Sequence, residues 1–268
     1  MQAVQRRCVL VFAGSDPSGG AGIQADVQAI AAQGAHALTV ITALTVQDND
    51  RVHAVHPVAP EILAQQAQAL IARIPVAAVK LGIPGSRANA QAIACIICSL
   101  KQKQPDLAVV LDPVLGSGHG DALAVENALQ VIAPLLEVAT LLTPNLPEAS
   151  LLSSHLGVRA GTPLLQAQYL LQHACTDVLV KGGHGSAAVV SNLWLNHAHG
   201  GHWLREWQWP RLAGEFHGSG CTLASAIAAQ LALGHGMEHA LDKAQAYCQQ
   251  ALASAFSITD GQMIPARI

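Results

Sequence analysis

Residues 8–33 read CVLVFAGSDPSGGAGIQADVQAIAAQ, which is an apolar run, a glycine-rich turn and an Ala-rich segment in that order. A short uncharged run is typical of a strand that is buried on both faces, and apolar residues at helical spacing indicate that a helix follows it. The stretch therefore predicts a strand–turn–helix unit, which is the repeating element of α/β folds.

The same alternation continues along the chain. The predicted strands are Cys8–Ala13, Leu38–Ala43, Ala77–Leu81, Leu107–Asp112, Thr140–Thr143, Val178–Lys181 and Ala187–Ser191. The predicted helices are Gly20–Gln33, Pro60–Arg73, Ser86–Lys103, Ala122–Leu135, Pro147–Ser153, Pro163–His173, Ser219–Leu233 and Glu238–Phe256. Residues 192–209 hold all four tryptophans and predict a hairpin at a sheet edge. The order of elements favours an α/β fold in which helices cover both faces of a sheet.

Composition narrows the class of protein. The chain has 268 residues, of which 51% are hydrophobic and 12% are charged, so enough apolar surface is present to fold a large core. We expect a single domain over residues 1–268, because neither a repeat nor a linker divides the chain. A net charge of −3 and an aromatic content of 3% argue against a nucleic-acid partner.

The apolar stretches do not predict a membrane segment. The longest uncharged stretches, Val27–Gln47 and Phe216–Met237, are interrupted by polar residues and fall short of a span. The apolar run after Arg6 and Arg7 is too short for a signal peptide, so we expect a cytoplasmic protein without a membrane partner. The six cysteines are too sparse for a disulfide scaffold and are expected to be reduced there.

Residues that directly follow the predicted strands are candidates for chemistry, because ligands bind beyond the carboxyl ends of the strands in an open α/β sheet. The first such segment, Gly14–Gly22, is glycine-rich but matches neither a Walker P-loop nor a Gly-x-Gly-x-x-Gly turn. It is either part of a ligand site or a tight turn that Asp16 or Ser18 caps.

The last such segment, His217–Thr222, lies at the start of a predicted helix. The two glycines, Gly218 and Gly220, let the backbone expose several N–H groups at the helix start, where the helix dipole also favours an anion, so a phosphate fits at this position. Cys221 lies at the same helix start, where we expect the dipole to lower the pKa of its thiol so that it accepts a proton from a substrate hydroxyl. The alternative is a buried structural cysteine beside a capping glycine.

Four further side chains at strand ends suit a nucleotide and its magnesium ion. Asn145 and Glu148 lie on the first turn of a predicted helix and Asp112 ends an apolar strand, so their oxygens suit a hydrated Mg²⁺. The alternatives are a helix cap for Asn145 and Glu148 and a turn for Asp112. Lys181 ends an apolar run before two glycines, which suits a phosphate contact.

Two other patterns favour a structural explanation. Cys95 and Cys98 have the spacing of a redox or zinc half-site, but they lie in an apolar helical run without a second pair, which favours core packing. His197, His199 and His202 lie in the Trp-rich segment away from the strand ends, and we expect them to face solvent.

Seven strand-end motifs follow one another along the chain. They are Ala13–Asp26 (AGSDPSGGAGIQAD), Val40–Gln47 (VITALTVQ), Val79–Gly82 (VKLG), Val110–Val114 (VLDPV), Thr143–Ala149 (TPNLPEA), Val178–His184 (VLVKGGH) and His217–Leu223 (HGSGCTL). In this order, and over nearly the whole chain, they resemble the motifs of the hydroxymethylpyrimidine/phosphomethylpyrimidine kinases of thiamine biosynthesis, which belong to the ribokinase-like superfamily.

The resemblance implies a fold and an activity. The implied fold is a single three-layer α/β/α ribokinase-like kinase domain with a central, mostly parallel sheet. The implied activity is ATP-dependent phosphorylation of 4-amino-5-hydroxymethyl-2-methylpyrimidine and then of its monophosphate to the diphosphate. The implied cofactors are ATP, Mg²⁺ and a monovalent cation, and the implied assembly is a homodimer.

The resemblance also implies which residues form the site. The substrate-binding residues are Gly14, Asp26, Gln47, Ile83 and Val114. The catalytic residues are Gly218, Ser219 and Gly220 as an anion hole, Cys221 as the base, and Lys181. The residues on the ATP side are Asp112, Asn145, Glu148 and Lys181, with Asp112 and Glu148 holding Mg²⁺ through water.

Two departures from the family pattern bear on the substrate. The family usually has Lys-Ile-Gly-Met where this chain has Lys80-Leu-Gly-Ile83, so a branched, stiffer side chain faces the pyrimidine pocket. The loop Leu115–Asp121 is richer in glycine than the family pattern, and its shape is similar to that of pyridoxal kinases of the same superfamily. The alternative activity is therefore that of a pyridoxal kinase.

A third possibility is a catalytically silent pyrimidine-binding protein. Asp112, Lys181 and Cys221 argue against it, because a sensor has no need for residues on the phosphate side.

Overall fold

The apolar runs of the chain form most of the strands of one sheet in the computed structural model, which describes residues 5–158, 161–198 and 201–268. The strands are β1 (Cys8–Ser15), β2 (His36–Gln47), β3 (Val52–Pro57), β4 (Val76–Leu81), β5 (Ala108–Leu111), β6 (Leu141–Leu142), β7 (Asp177–Val180), β8 (Val189–Ala198) and β9 (Gly201–Pro210). The helices are α1 (Gly22–Ala32), α2 (Pro60–Ile71), α3 (Arg87–Lys103), α4 (Ala128–Leu136), α5 (Leu146–His155), α6 (Pro163–His173), α7 (Ser219–Ala232) and α8 (Met237–Ala253).

The sheet is mostly parallel, as predicted. Its strand order is β3-β2-β1-β4-β5-β6-β7-β8-β9. The pairs from β2 to β7 are parallel, whereas β3 at one end and β8 and β9 at the other are antiparallel. After β1 the chain adds β2 and β3 on one side of β1 and then β4 to β9 on the other side. The direction in which strands are added to the sheet therefore reverses at β1. A crevice opens at such a reversal, which places a ligand site beyond the carboxyl ends of β1 and β4.

Helices cover both faces of the sheet, which confirms the expected three layers. Side chains alternate between the faces along β1, so Leu10 and Phe12 pack into one core and Val9 and Val11 pack into the other. Helices α2 to α6 cover the first core, and α1, α7 and α8 cover the second.

Some predicted boundaries were wrong. The prediction omitted β3, whose sequence, VHAVHP, carries histidines among its apolar residues. Helix α4 begins at Ala128 rather than Ala122, because the side chain of Asn127 caps it by accepting hydrogen bonds from the N–H groups of Leu129 and Gln130. The last predicted strand starts at Val189 and continues to Ala198, where it pairs with β9 as the expected edge hairpin.

The predicted core packing of Cys95 and Cys98 was also wrong. Both cysteines lie in α3, but both are exposed. Ile93 and Ile97, four residues apart, form the buried stripe of this helix, and the cysteines lie off that stripe.

The expectation for the histidines of the edge hairpin is met at one position. His197 is exposed, and its Nε2 lies 3.2 Å from the carbonyl oxygen of Leu171. His199 lies outside the described residues, and so does the side chain of His202. No helix in the described ranges has the length and apolar character needed to cross a membrane.

Candidate active site

A cavity of about 630 Å³ lies at the carboxyl ends of the parallel strands. Segments that follow different strands line it, which is how residues far apart in sequence come together. The predicted site residues on its wall are Gly14, Gln47, Ile83, Asp112, Val114, Asn145, Glu148, Lys181, Gly218, Ser219, Gly220 and Cys221. Its size is in the range of pockets that bind small molecules and cofactors.

The loop before α7 has the geometry of an anion site. Gly218 is the N-cap residue of α7 and has a φ of +78°, which favours glycine. The first N–H groups of a helix have no acceptor within the helix, so those of Ser219, Gly220 and Cys221 are free of helical partners. Thr222 ties the turn together by donating its hydroxyl to the carbonyl oxygen of Gly218 at 2.8 Å.

Asp112 and Lys181 meet the anion loop at Gly220. Lys181 Nζ donates to Asp112 Oδ1 at 2.7 Å. A Cβ built at Gly220 would lie 3.1 Å from Asp112 Oδ2 and 3.1 Å from Lys181 Nζ. The loop, the carboxylate and the ammonium group therefore converge on one point of the cavity.

Glu148 both caps a helix and lines the cavity. Asn145 Oδ1 accepts from the N–H of Glu148 at 2.9 Å, and Glu148 Oε2 accepts from the N–H of Asn145 at 2.8 Å. The two residues therefore form a capping box, which was one of the two alternatives for them. Both residues also line the cavity, so the cap does not exclude a role in the site. Burial, together with the nearby charge of Asp112, raises the pKa of Glu148 to about 7, although Lys181 opposes the shift.

The expected lowering of the Cys221 pKa was wrong. Burial raises the pKa of this thiol above its ordinary value, and the charges of Asp26 and Asp112 act in the same direction. Lys80 and the N–H of Gly22 oppose the shift without cancelling it. The helix dipole alone therefore does not decide the protonation of Cys221.

The structure does not bring Asp26 to the cavity wall, although it was predicted to bind substrate. Its carboxylate is fully buried and accepts hydrogen bonds from Lys80 Nζ at 2.8 and 2.9 Å and from Ser225 Oγ at 2.7 Å. Lys80, in contrast, lines the cavity. Although burial opposes its charge, the carboxylate of Asp26 raises the pKa of Lys80 above its usual range.

Lys80 is a site residue that lies in the VKLG motif but to which the sequence assigned no role. It is fully buried near the carboxyl end of β4, whose other residues are uncharged. The available signal was a charged side chain inside a buried strand, since such a group needs a partner.

The glycine loop is held by Asp16. Its Oδ1 accepts from the N–H and hydroxyl groups of Ser18 at 2.8 Å each, and its Oδ2 accepts from the N–H of Ala21 at 2.7 Å. His217 Nε2 lies 2.8 Å from the same Oδ2. Although burial opposes the shift, hydrogen bonds from His217, Gln47 and Ser18 hold the pKa of Asp16 well below its usual range. Asp16 therefore links the glycine loop to the residue before the anion loop.

Ile83 closes the other end of the cavity against Gly14. A Cβ built at Gly14 would lie 2.7 Å from Ile83 Cδ1, so the backbone and the branched side chain are in close contact. Gln47 also lines the cavity and helps to lower the pKa of Asp16.

Sequence reasoning also missed the wall that the edge hairpin and α8 contribute. Asn192 Nδ2 donates to Gln245 Oε1 at 2.8 Å, and Trp209 Nε1 donates to the same oxygen at 3.3 Å. Asn192 Oδ1 in turn accepts from the N–H of Gly182, next to Lys181, at 2.9 Å. These residues line the cavity and join its far wall to the phosphate side.

Comparison with curated proteins finds relatives over most of the chain. The hydroxymethylpyrimidine/phosphomethylpyrimidine kinase of Streptomyces coelicolor is 38% identical over 258 residues, which are 94% of this chain and 91% of that protein. A thiamine biosynthesis multifunctional protein of Corynebacterium efficiens is 33% identical over 255 residues, and the chain spans 34% of its length.

Solved structures have the same fold. A phosphomethylpyrimidine kinase from Clostridium difficile aligns with a TM-score of 0.74 and 31% identity, over 91% of this chain and 99% of that one. An ADP complex of Bacillus subtilis pyridoxal kinase aligns with a TM-score of 0.84 over 98% of both chains, at 24% identity. The second likeness shows a shared fold.

The family model described as phosphomethylpyrimidine kinase matches residues 16–266, which is nearly the whole chain. This match agrees with the curated relatives and with the motifs at the strand ends. The chain therefore belongs to the phosphomethylpyrimidine kinase family.

Proposed function

We propose that the protein is an ATP- and Mg²⁺-dependent kinase that phosphorylates 4-amino-5-hydroxymethyl-2-methylpyrimidine and then the resulting monophosphate. The observation that carries the proposal is the convergence of Gly220, Asp112 and Lys181 in one cavity with Cys221. Phosphoryl transfer needs positive charge and N–H donors around the transferring group and an acceptor for the hydroxyl proton. The names of the relatives support this choice of substrate.

The donor set suits a magnesium ion that is held mainly through water and phosphate oxygens. Asp112 and Glu148 supply hard carboxylate oxygens at the cavity wall, next to Lys181. In the described ranges no cluster of three or more His, Cys, Asp or Glu side chains is placed to hold a bare metal ion. When bound, Mg²⁺ would neutralise charge on the triphosphate.

Residues of the chain supply the other contributions to phosphoryl transfer. Lys181 neutralises phosphate charge, and the N–H groups at Gly218–Gly220 hold the transferring group. Cys221 accepts the proton of the substrate hydroxyl in the first step as a thiolate, a form that burial opposes and that the charge of Lys80 and the N–H of Gly22 favour. In the second step a phosphate oxygen is the nucleophile, so this step has less need of a base.

The pyrimidine is placed at the end of the cavity that Gly14, Gln47 and Ile83 form. The amide of Gln47 hydrogen-bonds ring or amino nitrogens, and Ile83 provides an apolar wall. Asp26 acts here through Lys80 rather than by direct contact, because its oxygens are occupied by Lys80 and Ser225.

The test compares ADP release with the pyrimidine alcohol, its monophosphate and pyridoxal, each with Mg·ATP. We expect a higher kcat/KM for the pyrimidine alcohol than for pyridoxal, since a site that hydrogen-bonds specific groups rejects analogues that lack them. A preference for pyridoxal would establish the second candidate, a pyridoxal kinase, whose fold this chain shares. Tight pyrimidine binding without turnover would instead indicate a silent binding protein.

Three further features stay predictions: the homodimer and the monovalent cation that the resemblance implies, and the cytoplasmic location that the N-terminal sequence predicts. Light scattering on the purified protein tests the dimer. Replacement of KCl by choline chloride in the kinase assay tests the cation.

A further inference from the structure

Arg267 is a buried arginine that packs behind the anion loop. It is 2% exposed. Its Nε donates to Thr222 Oγ1 at 2.8 Å, and its Nη2 donates to the carbonyl oxygen of Gly20. Its Nη1 lies 3.4 Å from the carbonyl oxygen of Gly19 and 3.3 Å from Gln28 Oε1. One side chain therefore joins the glycine loop to the first turn of α7.

The partners of this guanidinium group are all neutral. In the part of the chain that the structure describes, Arg267 has hydrogen bonds to carbonyl, hydroxyl and amide oxygens and no ion pair with a carboxylate. Burial lowers the pKa of Arg267, but arginine keeps its proton in proteins. A buried positive charge without a carboxylate at hydrogen-bond distance is costly, so a nearby negative charge would be strongly favoured there.

The charge lies directly against the residue that begins the anion loop. A Cβ built at Gly218 would lie 2.9 Å from Arg267 Nη2, and it would also clash with the carbonyl oxygen of Gly20. Thr222, which binds Arg267 Nε, also donates its hydroxyl to the carbonyl oxygen of Gly218. The guanidinium group thus lies against Gly218 directly and is linked to it a second time through Thr222. Arg267 lies outside residues 16–266, the part of the chain that the family model matches.

We propose that Arg267 is a positioning residue for phosphoryl transfer, which holds the Gly218–Gly220 loop in place and adds behind it a positive charge that has no carboxylate at hydrogen-bond distance. The proposal rests on the proposed function. It assigns to Arg267 the stabilisation of negative charge on the transferring group through the loop, with no direct contact to the pyrimidine. Its effect is therefore expected on kcat rather than on the KM of the neutral alcohol.

The competing explanation is a purely structural role for Arg267. Variants that keep or lose the positive charge distinguish this explanation from the proposal. Arg267→Lys keeps the charge and loses the forked geometry, whereas Arg267→Gln keeps a hydrogen-bond donor and loses the charge. Gln28→Ala is the matched control, because it removes one neutral partner of Nη1 from an exposed position and leaves the charge. Each variant is assayed for kcat, for the KM of the alcohol and for the melting temperature.

We expect Arg267→Gln to lower kcat about 10- to 100-fold with little change in the KM of the alcohol, since a charge behind the loop is worth less than a direct donor. Arg267→Lys should retain most of the activity that Arg267→Gln loses, and Gln28→Ala should resemble the wild type. Equal kcat values for Arg267→Lys and Arg267→Gln, or losses of kcat that follow only the melting temperature, would overturn the proposal.

A second measurement, chemical rescue, tests the proposal even if some of these variants fold poorly. Guanidinium chloride at millimolar concentration should restore part of the kcat of Arg267→Ala, whereas NaCl of equal ionic strength should not. Failure of this rescue together with equal Lys and Gln variants leaves Arg267 as a structural contact only.

Assays of the wild-type protein distinguish a failure of the proposed role of Arg267 from a failure of the proposed kinase function. If the wild type turns over none of the three acceptors, the proposed function is wrong, and binding of inorganic tripolyphosphate then decides the role of Arg267. Weaker binding to Arg267→Gln than to Arg267→Lys supports the charged role, and equal binding overturns it.

Discussion

At the scale of the residue, Lys80 and Asp26 form a fully buried ion pair, with side-chain exposures of 0% and 0%. Removal of one partner leaves the other charge buried without compensation, which typically costs about 3–5 kcal/mol. We therefore expect Lys80→Met to lower the free energy of unfolding by about that amount. The double variant Lys80→Met/Asp26→Asn should be more stable than the single variant, as measured by urea denaturation. Simple addition of the two single losses would show that the residues do not act as a pair.

Cys221 distinguishes the two proposed phosphorylation steps. Loss of a general base lowers a rate by about 10²-fold or more, so Cys221→Ala should reduce kcat for the alcohol by that factor. The monophosphate supplies its own anionic nucleophile, so its phosphorylation should lose less. Single-turnover assays on both substrates measure the two losses. Cys175→Ala is a suitable control, because this thiol does not line the cavity.

Substitution of Lys181 should affect the two phosphorylation steps in the reverse order from substitution of Cys221. Lys181→Ala removes a cation at the point where phosphates cluster, so the monophosphate step should lose at least as much rate as the alcohol step. Equal losses for both variants on both substrates would mean that a shared step, such as product release, limits the rate.

At the scale of the element, the two ends of α7 offer a matched pair of glycines. Gly218 and Gly234 have φ angles of +78° and +90°, so alanine at either position costs about 1–2 kcal/mol of backbone strain. A Cβ at Gly234 meets nothing within 4 Å, whereas a Cβ at Gly218 meets Gly20 and Arg267.

Gly234→Ala should therefore lower the melting temperature and leave kcat unchanged. Gly218→Ala should lower the melting temperature and also reduce kcat by about 10²-fold, the scale of a lost oxyanion donor. An active Gly218→Ala variant would show that the conformation of this loop is not needed for catalysis.

At the scale of the whole molecule, the single domain expected from the sequence is open to a direct test. All four tryptophans lie in β8 and β9, at one end of the sheet, so their fluorescence reports on that end alone. Trp194 and Trp207 nevertheless pack in the same core as Val9 and Val11 of β1. We therefore expect urea midpoints from tryptophan fluorescence and from far-ultraviolet circular dichroism to coincide. Separate midpoints would show that the hairpin end unfolds as its own unit.

The sequence by itself determined the α/β class and the places where chemistry occurs. Apolar periodicity is local, so the run at Cys8–Ala13 and the helix after Gly22 were visible without any tertiary contact. Strand ends in a parallel sheet meet at one edge, which is why twelve of the thirteen predicted site residues line one cavity. Histidines within β3 interrupted its apolar pattern, so that strand was missed, whereas Asn127 before α4 was an available start signal that the prediction of a helix from Ala122 did not use.

Only the tertiary structure decided how the site residues are paired and charged. The partners of Asp26 are Lys80 and Ser225, 54 and 199 residues away, and no spacing rule connects them. Burial reverses the expected shift of the Cys221 pKa, and burial is a property of everything packed around a group rather than of its neighbours in the chain. Arg267 reaches Gly20 across 247 residues for the same reason. Electrostatic energies depend on distance and exposure in space, and the fold alone sets both.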